Sequence, residues 1–263
     1  MRSLRDVMDW VADAETPVYG TLYDELAPLY AFERERMRSY PAVADFVRRT
    51  VPENASTVGV GACGPGFVLS ALAERFESVV GFDLSPQLLA LAREQTDAPL
   101  VAADLRTTVA PEAFDVVTIL GGSLAHLPVS EEGDSVHAVL GSAYESLRPG
   151  GTFVVDFMER GALQSGHVAR DTFESDRFSV ERTVITTGEA DGQQGLGASG
   201  RYTFAYEITD REREETVRVG TTTPVREFAT GALLGAVLNA GFADARLVAP
   251  PTHGGGIVAR KSA

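Results

Sequence analysis

The sequence predicts an α/β protein with a parallel sheet, and three observations lead to that class. Short apolar strands alternate with amphipathic helices over residues 57–157 and again over 232–260. Crossover helices join the strands of a parallel sheet and cover both its faces, which produces this alternation. Glycines follow the first strand, and aspartates follow the next two. Open α/β sheets bind ligands at the carboxyl ends of their strands, so we expect the functional site there.

Before the sheet, residues 1–50 are predicted to be helical. Leu4, Val7, Met8 and Val11 share one helical face, and a second stretch runs over 19–30 towards 42–49. Prolines divide this region into short helices, namely Pro17, Pro28 and Pro41.

The elements of the first alternating block follow from their apolar runs. The predicted strands are 57–60, 78–82, 100–102, 114–120 and 152–157. Helices between them are expected to begin at Phe67, Pro86 and about Glu131. After the break described next, a helix over 232–240 and strands over 245–248 and 256–260 complete the sheet.

Residues 159–223 interrupt this order with a different periodicity. Polar and apolar residues alternate over 177–187, 201–209 and 214–221, as in half-exposed antiparallel strands. The Gly-, Ala-, Gln- and Ser-rich stretch 188–200 is predicted to be a loop between the first two. Because the αβ pattern resumes afterwards, this segment is interpreted as an insertion into one domain.

Composition limits the classes of partner. The formal net charge of −14 disfavours nucleic acid and anionic membranes, and no apolar run approaches the roughly 20 residues of a spanning helix. Cys63 is the sole cysteine, and the four histidines lack ligand spacing, so no metal site is expected. We expect a cytoplasmic monomer or homodimer acting on a small molecule. Because Lys261 is the only lysine, the acidic surface also suggests a halophilic source.

The glycine turn after the first strand fits two kinds of cofactor. Gly59-x-Gly61-x-x-Gly64 matches the dinucleotide fingerprint, and Asp83 lies about 20 residues downstream, where a ribose contact is expected. The overlapping segment 62–66, Ala-Cys-Gly-Pro-Gly, resembles motif I of class I S-adenosylmethionine (SAM)-dependent methyltransferases. Both cofactors carry an adenosine ribose, so the turn and the aspartate alone leave both possibilities open.

Three further segments favour the methyltransferases. Residues 81–89, with Asp83-Leu84-Ser85-Pro86, resemble the second conserved block of that family. Residues 114–117 and 147–154 resemble its fourth-strand and pre-fifth-strand signatures. Short-chain reductases use a Tyr-x-x-x-Lys pair, whereas the only lysine here is Lys261. The resemblance implies SAM as cofactor and a Rossmann-like, seven-stranded, mostly parallel sheet with helices on both faces, an N-terminal helical lid and an antiparallel β insertion.

The resemblance also implies a set of cofactor contacts. It places Asp83 at the ribose hydroxyls, Leu84 at the adenine face, and Asp104 at the adenine amino group with Leu105 beside it. Further residues are expected along the cofactor, and these are Ala62, Cys63, Gly64, Leu88 and Leu120.

The segment Ser123-x-x-His126-Leu127 follows the fourth strand of the sheet. It resembles the amino-sugar N-methyltransferases and, more loosely, the glycine and sarcosine N-methyltransferases. The resemblance places His126 near the acceptor amine, where a histidine can take or relay a proton or orient the acceptor. Tyr23 and Tyr30 resemble tyrosines that cover the cofactor in such enzymes; we expect Tyr23 to be catalytic and Tyr30 to bind the cofactor. The alternative for all three is a packing role.

One position departs from the family pattern. Val60 stands where the family usually has an acidic residue that organises the methionine end of the cofactor. The alternatives to a methyltransferase are therefore a SAM-binding protein without transferase activity and an NAD(P)-dependent reductase. The expected organisation is a lid (1–50), a SAM-binding core (51–158), an insertion that covers the substrate (159–223) and a segment that completes the core sheet (224–263).

Overall fold

The computed structural model describes residues 3–13, 18–130, 133–194, 196–252 and 254–263. Pro17, Glu131 and His253 therefore lie outside the described residues. The helices are α1 (Leu4–Ala12), α2 (Ala27–Met37), α3 (Tyr40–Thr50), α4 (Phe67–Ala73), α5 (Pro86–Ala92), α6 (Ser135–Ser146) and α7 (Thr230–Asn239). The strands are β1 (Val18–Tyr19), β2 (Thr57–Gly61), β3 (Ser78–Asp83), β4 (Leu100–Ala102), β5 (Phe114–Ile119), β6 (Val129–Ser130), β7 (Gly133–Asp134), β8 (Leu147–Phe157), β9 (Val168–Glu174), β10 (Phe178–Gln194), β11 (Gly197–Asp210), β12 (Glu215–Phe228), β13 (Asp244–Val248) and β14 (Gly255–Arg260).

The central sheet has seven strands in the order β13-β14-β8-β5-β2-β3-β4. All its pairings are parallel except those of β14, which runs antiparallel to both of its neighbours. Apolar side chains of α6 and α7 pack on one face, and those of α3 and α4 pack on the other. The predicted fold class, a mostly parallel seven-stranded α/β sheet, is confirmed.

The strand order reverses between β2 and β5. From β2 the chain proceeds outwards through β3 to β4 and then returns to form β5 on the opposite side of β2. At such a reversal the connections leave in opposite directions and open a crevice at the carboxyl ends of the two strands. The glycine turn after β2 and the Gly121-Gly122 turn after β5 border this crevice.

A second sheet has the order β1-β12-β11-β10-β9, and we call it the accessory sheet. Apolar side chains from α1 and α2 pack on one face of it, around Val180, Phe204 and Ile208. Val18 and Tyr19 join its edge parallel to β12, and Gly20 N–H donates to the Gly220 carbonyl. The helical prediction for 19–30 is therefore wrong at its start, because pairing with β12 and burial of Leu22 and Leu26 fix this segment instead.

The loop predicted over 188–200 is wrong as well. β10 and β11 form a long hairpin through this stretch, with Gly188 opposite Gly200 and Gln194 opposite Gly197. The small residues allow close backbone packing: a Cβ on Gly197 would lie 1.7 Å from the Glu227 carbonyl oxygen. Glycine in a strand commonly marks such an approach.

In the part of the chain that the structure describes, no helix is long and apolar enough to span a membrane.

Candidate functional site

The turn after β2 combines three left-handed residues. Ala62 has φ 51°, Gly64 has φ 56° and Gly66 has φ 88°. Cys63 N–H donates to the Phe82 carbonyl at 3.0 Å, which holds the turn against β3. A Cβ on Gly64 would meet no atom within 4 Å, whereas one on Gly66 would lie 3.0 Å from Ala92. Gly66 thus permits close packing against α5, and Gly64 leaves space for a ligand next to the backbone.

Asp83, at the end of β3, links this turn to the next. Its carboxylate accepts the N–H of Gly64 at 2.8 Å and the N–H of Ser85 at 2.9 Å. Burial raises the pKa of Asp83, while these two N–H donors act in the opposite direction. Each carboxylate oxygen can accept a second hydrogen bond, so Asp83 can still bind a hydroxyl in the crevice.

A cavity of about 480 Å³ opens at the crevice. Ten of the twelve residues predicted from the sequence line it: Tyr23, Tyr30, Ala62, Gly64, Asp83, Leu84, Leu88, Asp104, Leu105 and His126. Cys63 and Leu120 instead border a smaller adjoining pocket of about 50 Å³. The Cys63 side chain lies beside Gly81 in the core, and burial raises the pKa of its thiol to about 12. Cys63 can therefore offer a ligand its backbone but not a thiolate.

Apolar and acidic groups share one end of the cavity. Leu84 is 68% exposed although it is apolar, so it presents an unoccupied apolar surface to the cavity. The Asp104 carboxylate receives Arg106 Nε at 3.0 Å and Arg106 Nη2 at 2.6 Å. This guanidinium lowers the pKa of Asp104. The pairing with Arg106 was not predicted, and a ligand amino group would share the carboxylate with it.

Arg34 and Arg38 line the smaller pocket, and neither was among the site residues predicted from the sequence. Arg34 borders both spaces, its guanidinium lies 4.8 Å from the centre of the Tyr30 ring, and its buried Nε has no hydrogen-bond partner. Arg38 borders the smaller pocket near Gly121. Glu33 and Glu35 interleave with these arginines in the sequence, so no basic patch stands out there. Arg34 lies four residues after Tyr30, which is the signal that these two side chains share a helical face, whereas Arg38 lies just beyond the end of α2.

The smaller pocket suits a carboxylate ligand. No acidic side chain is among its described lining residues, and Val60, which borders it, is apolar and 2% exposed. Two guanidinium groups there provide donors that match carboxylate geometry. The described lining therefore contains no acidic residue that could replace the one that the family usually has at the position of Val60. It does contain cations that can bind the carboxylate of an amino acid.

His126 ends a 3-10 helix (Ser123–His126) that follows the Gly121-Gly122 turn. Its ring centre lies 5.5 Å from that of Tyr23, and Tyr23 lies 5.1 Å from Tyr30, both nearly perpendicular. Burial and then the charge of Arg34 lower the pKa of His126 to about 4, against a hydrogen bond with Pro224 that raises it. Burial also raises the pKa of Tyr23, so this side chain stays a neutral phenol.

The hydrogen bonds of His126 define its tautomer. Proline has no backbone N–H, so the imidazole must donate to the Pro224 carbonyl. Nδ1 is buried without a hydrogen-bond partner, which makes Nε2 the donor. The cavity is therefore bordered by a neutral imidazole, whose Nδ1 lone pair has no hydrogen-bond partner. Pro224 belongs to β12, so the accessory sheet helps to orient this side chain.

Comparisons with known proteins identify the class. A family described as a methyltransferase domain matches residues 61–151. The chain is 33% identical over 176 residues to a dTDP-3-amino-3,6-dideoxy-alpha-D-glucopyranose N,N-dimethyltransferase of Streptomyces fradiae, covering 64% of this chain and 67% of that protein. It is 34% identical over 151 residues to a dTDP-3-amino-3,4,6-trideoxy-alpha-D-glucopyranose N,N-dimethyltransferase of Streptomyces venezuelae, covering 56% of this chain and 61% of that protein.

Solved structures extend the likeness over almost the whole chain. The sugar N-methyltransferase KedS8 from a Streptoalloteichus species is 26% identical, with a TM-score of 0.78 over 95% of this chain and 98% of that one. SAM-bound CalS10, an amino pentose methyltransferase from Micromonospora echinaspora, is 25% identical, with a TM-score of 0.74 over 95% of this chain and 100% of that one. The chain belongs to the SAM-dependent methyltransferases. The resemblance to amino-sugar N-methyltransferases is confirmed, and the reductase and inactive-binder alternatives find no support.

Proposed function

We propose that this enzyme methylates the amino group of a nucleotide-linked amino sugar, with SAM as methyl donor. The observation that carries the proposal is the neutral His126 imidazole, which borders the cavity, contacts the Tyr23 ring and has a buried Nδ1 without a hydrogen-bond partner. Two relatives named as dTDP-amino-sugar N,N-dimethyltransferases support the acceptor class. The methylated amine can then receive a second methyl group in another turnover.

The lining of the cavity fits the cofactor along its whole length. Gly64 leaves space at the turn, Asp83 suits ribose hydroxyls, and the exposed Leu84 suits an adenine face. Arg34 and Arg38 would hold the methionine carboxylate in the smaller pocket. When bound, SAM supplies an electrophilic methyl on a sulfonium: a nitrogen–carbon bond forms, the sulfur–carbon bond breaks, and the sulfur keeps the bonding pair.

The protein's part is to present a neutral amine in line with that methyl group. His126 Nδ1 accepts an amine N–H and so directs the nitrogen lone pair away from the imidazole. With a pKa of about 4, His126 orients the amine and does not store the released proton, which leaves to solvent. The nearby charge of Arg34 disfavours an ammonium form of the acceptor for the same reason that it lowers the pKa of His126. The Tyr23 and Tyr30 rings exclude water from this end.

The proposal also includes the organisation around the site. Residues 1–50 act as a lid and 159–223 as a substrate cover, since Tyr23, Tyr30 and Arg34 come from the first and Thr223 from the second. The net charge of −14 supports an enzyme of the cytoplasm, in a halophilic cell, that binds neither nucleic acid nor membrane. We propose a monomer or a homodimer.

The acceptor class is tested by incubating the enzyme and SAM with dTDP-linked amino sugars, free amino sugars, glycine and a hydroxyl-only sugar nucleotide. Mass spectrometry should show one or two methyl groups added to the nucleotide-linked amine and none to the hydroxyl analogue. Methylation of glycine in preference, or of no amine at all, contradicts the proposal.

The role of His126 is tested by His126→Ala. We expect SAM affinity by calorimetry to be unchanged and turnover to fall at least about tenfold. His137→Ala is the matched control, because His137 lies exposed on α6. Turnover equal to that of the wild-type enzyme would limit His126 to packing.

A further inference from the structure

Asp156 lies near the carboxyl end of β8, immediately beside β5, and its side chain is completely buried. Oδ2 accepts the N–H of Gly121 at 2.7 Å, and Oδ1 accepts the N–H of Gly122 at 2.7 Å. Hydrogen bonds from N–H groups to a carboxylate are stronger than those between neutral groups. Asp156 is not among the described residues that line the cavity, so its effect on the site is indirect.

Leu120 and the two glycines link β5 to the 3-10 helix that carries His126. Gly121 has φ 94° and Gly122 has φ 80°, so two consecutive residues are left-handed. Their N–H groups both donate to the buried Asp156 side chain, and each is satisfied by its own carboxylate oxygen. The direction in which the helix Ser123–His126 leaves the sheet is therefore fixed by the carboxylate beneath it.

We propose that Asp156 is a positioning residue for methyl transfer: by binding both N–H groups of the Gly121-Gly122 turn, it sets where His126 meets the acceptor. This inference rests on the proposed role of His126. The side chain of Arg38 and that of Thr252 face Asp156 from the lid and from the segment before β14. Neither takes the place of the carboxylate, whose two oxygens each accept one N–H of the turn.

The chain provides a matched pair of substitutions. Asp115 also accepts two backbone N–H groups, those of Ser56 at 3.0 Å and Thr57 at 2.9 Å, but at the opposite end of β5. In Asp156→Asn, one of the two accepting oxygens becomes an NH2 group that faces an N–H of the turn. In Asp115→Asn, the oxygen that accepts both N–H groups can remain, and the NH2 group replaces the oxygen that faces Arg148. Both variants remove one carboxylate charge beside β5, and only Asp156 lies next to the Gly121-Gly122 turn.

We expect Asp156→Asn to lower kcat at least about tenfold while the Kd for SAM changes less than about threefold, because displacement of a positioned group affects the reacting geometry. Asp115→Asn should lower the thermal midpoint and keep kcat. Amide hydrogen exchange supplies a readout other than activity: residues 121–126 should exchange faster in Asp156→Asn than in the wild-type enzyme or in Asp115→Asn.

The proposal is overturned if Asp156→Asn keeps kcat, if kcat and SAM affinity fall together, or if Asp115→Asn lowers kcat equally. Where Asp156→Asn does not fold, Gly122→Ala disturbs the same turn through its positive φ and leaves the carboxylate intact; it should show the same separation of kcat from SAM affinity. A wild-type enzyme that methylates no amine refutes the proposed function, whereas the exchange data still decide whether Asp156 holds the turn.

Discussion

Substituting Arg182 by glutamine removes a cation that joins α2 to the accessory sheet. Arg182 Nη1 lies 3.2 Å from Glu33 Oε2, and Nη2 lies 2.6 Å from Asp171 Oδ2. Glu33 is 1% exposed and Arg182 is 7% exposed, whereas Asp171 reaches solvent. The substitution therefore leaves Glu33 as a buried carboxylate without its cation.

Removing one partner of a buried ion pair costs about 3–5 kcal/mol, because the remaining charge is uncompensated. The lost ion pair with Asp171 adds little to this destabilisation, since solvent screens exposed charges. At about 2–4 °C per kcal/mol for large domains, the thermal midpoint should fall by about 6–20 °C. Glu33→Gln in the same chain should recover much of the loss, because the paired charges are then removed together.

Trp10, the only tryptophan, provides the assay, since it packs against the apolar core that α1, α2 and the accessory sheet share. Its fluorescence during thermal unfolding reports this layer. Arg218→Gln is the matched control on the same sheet: Arg218 pairs with Glu207 at the surface and should change stability by less than about 1 kcal/mol. The reasoning is refuted if Arg182→Gln costs no more than Arg218→Gln, or if Glu33→Gln adds to the loss.

Three other predictions concern charged groups of the protein. Arg34→Gln should weaken SAM binding in calorimetry and raise the pKa of His126 in an NMR titration; an unchanged His126 pKa would contradict the assigned charge effect. Burial opposes ionisation of Asp115, yet N–H donors and Arg148 outweigh it and hold its pKa well below the usual range. Its stabilisation should thus be complete above about pH 4 and decline below it, and Asp115→Asn should lose this acid-side decline in unfolding curves. Because the net charge is −14, raising KCl from about 0.1 M to molar levels should raise the thermal midpoint through screening; a lower midpoint would contradict the halophilic assignment.

The sequence predicted that the glycine turn, Asp83 and Leu84 lie together because its signals there are local. A strand, a glycine turn and a helix follow one another within ten residues at β2, and Asp83 ends the very next strand. The rule that α/β sheets bind ligands at strand carboxyl ends then brings these residues together without further information. The apolar runs fix the strands in the same way.

The contacts that orient His126 and the arginines of the smaller pocket could not be predicted, because they depend on contacts between distant segments. The spacing of Arg34 from Tyr30 indicates a shared helical face but not what that face meets. In the sequence, Asp156 is a single polar residue in an apolar strand. Only the pairing of β5 with β8 brings its carboxylate next to the N–H of Gly121. The loop prediction for 188–200 is wrong because a stretch rich in small residues is typical both of loops and of tightly packed strands.

These distant contacts separate the determinants of cofactor and acceptor. Helix α2 presents Tyr30 and Arg34 to the cavity, while Glu33 on another face pairs with Arg182 of the accessory sheet. The same sheet contributes Thr223 to the cavity wall and the Pro224 carbonyl to His126. Asp83 ends β3, and Leu84 and the glycine turn directly follow β3 and β2 of the central sheet. Changes around Thr223 and Pro224 of β12 should therefore alter the acceptor and the rate of transfer before they alter affinity for SAM, since the adenosine contacts do not depend on them.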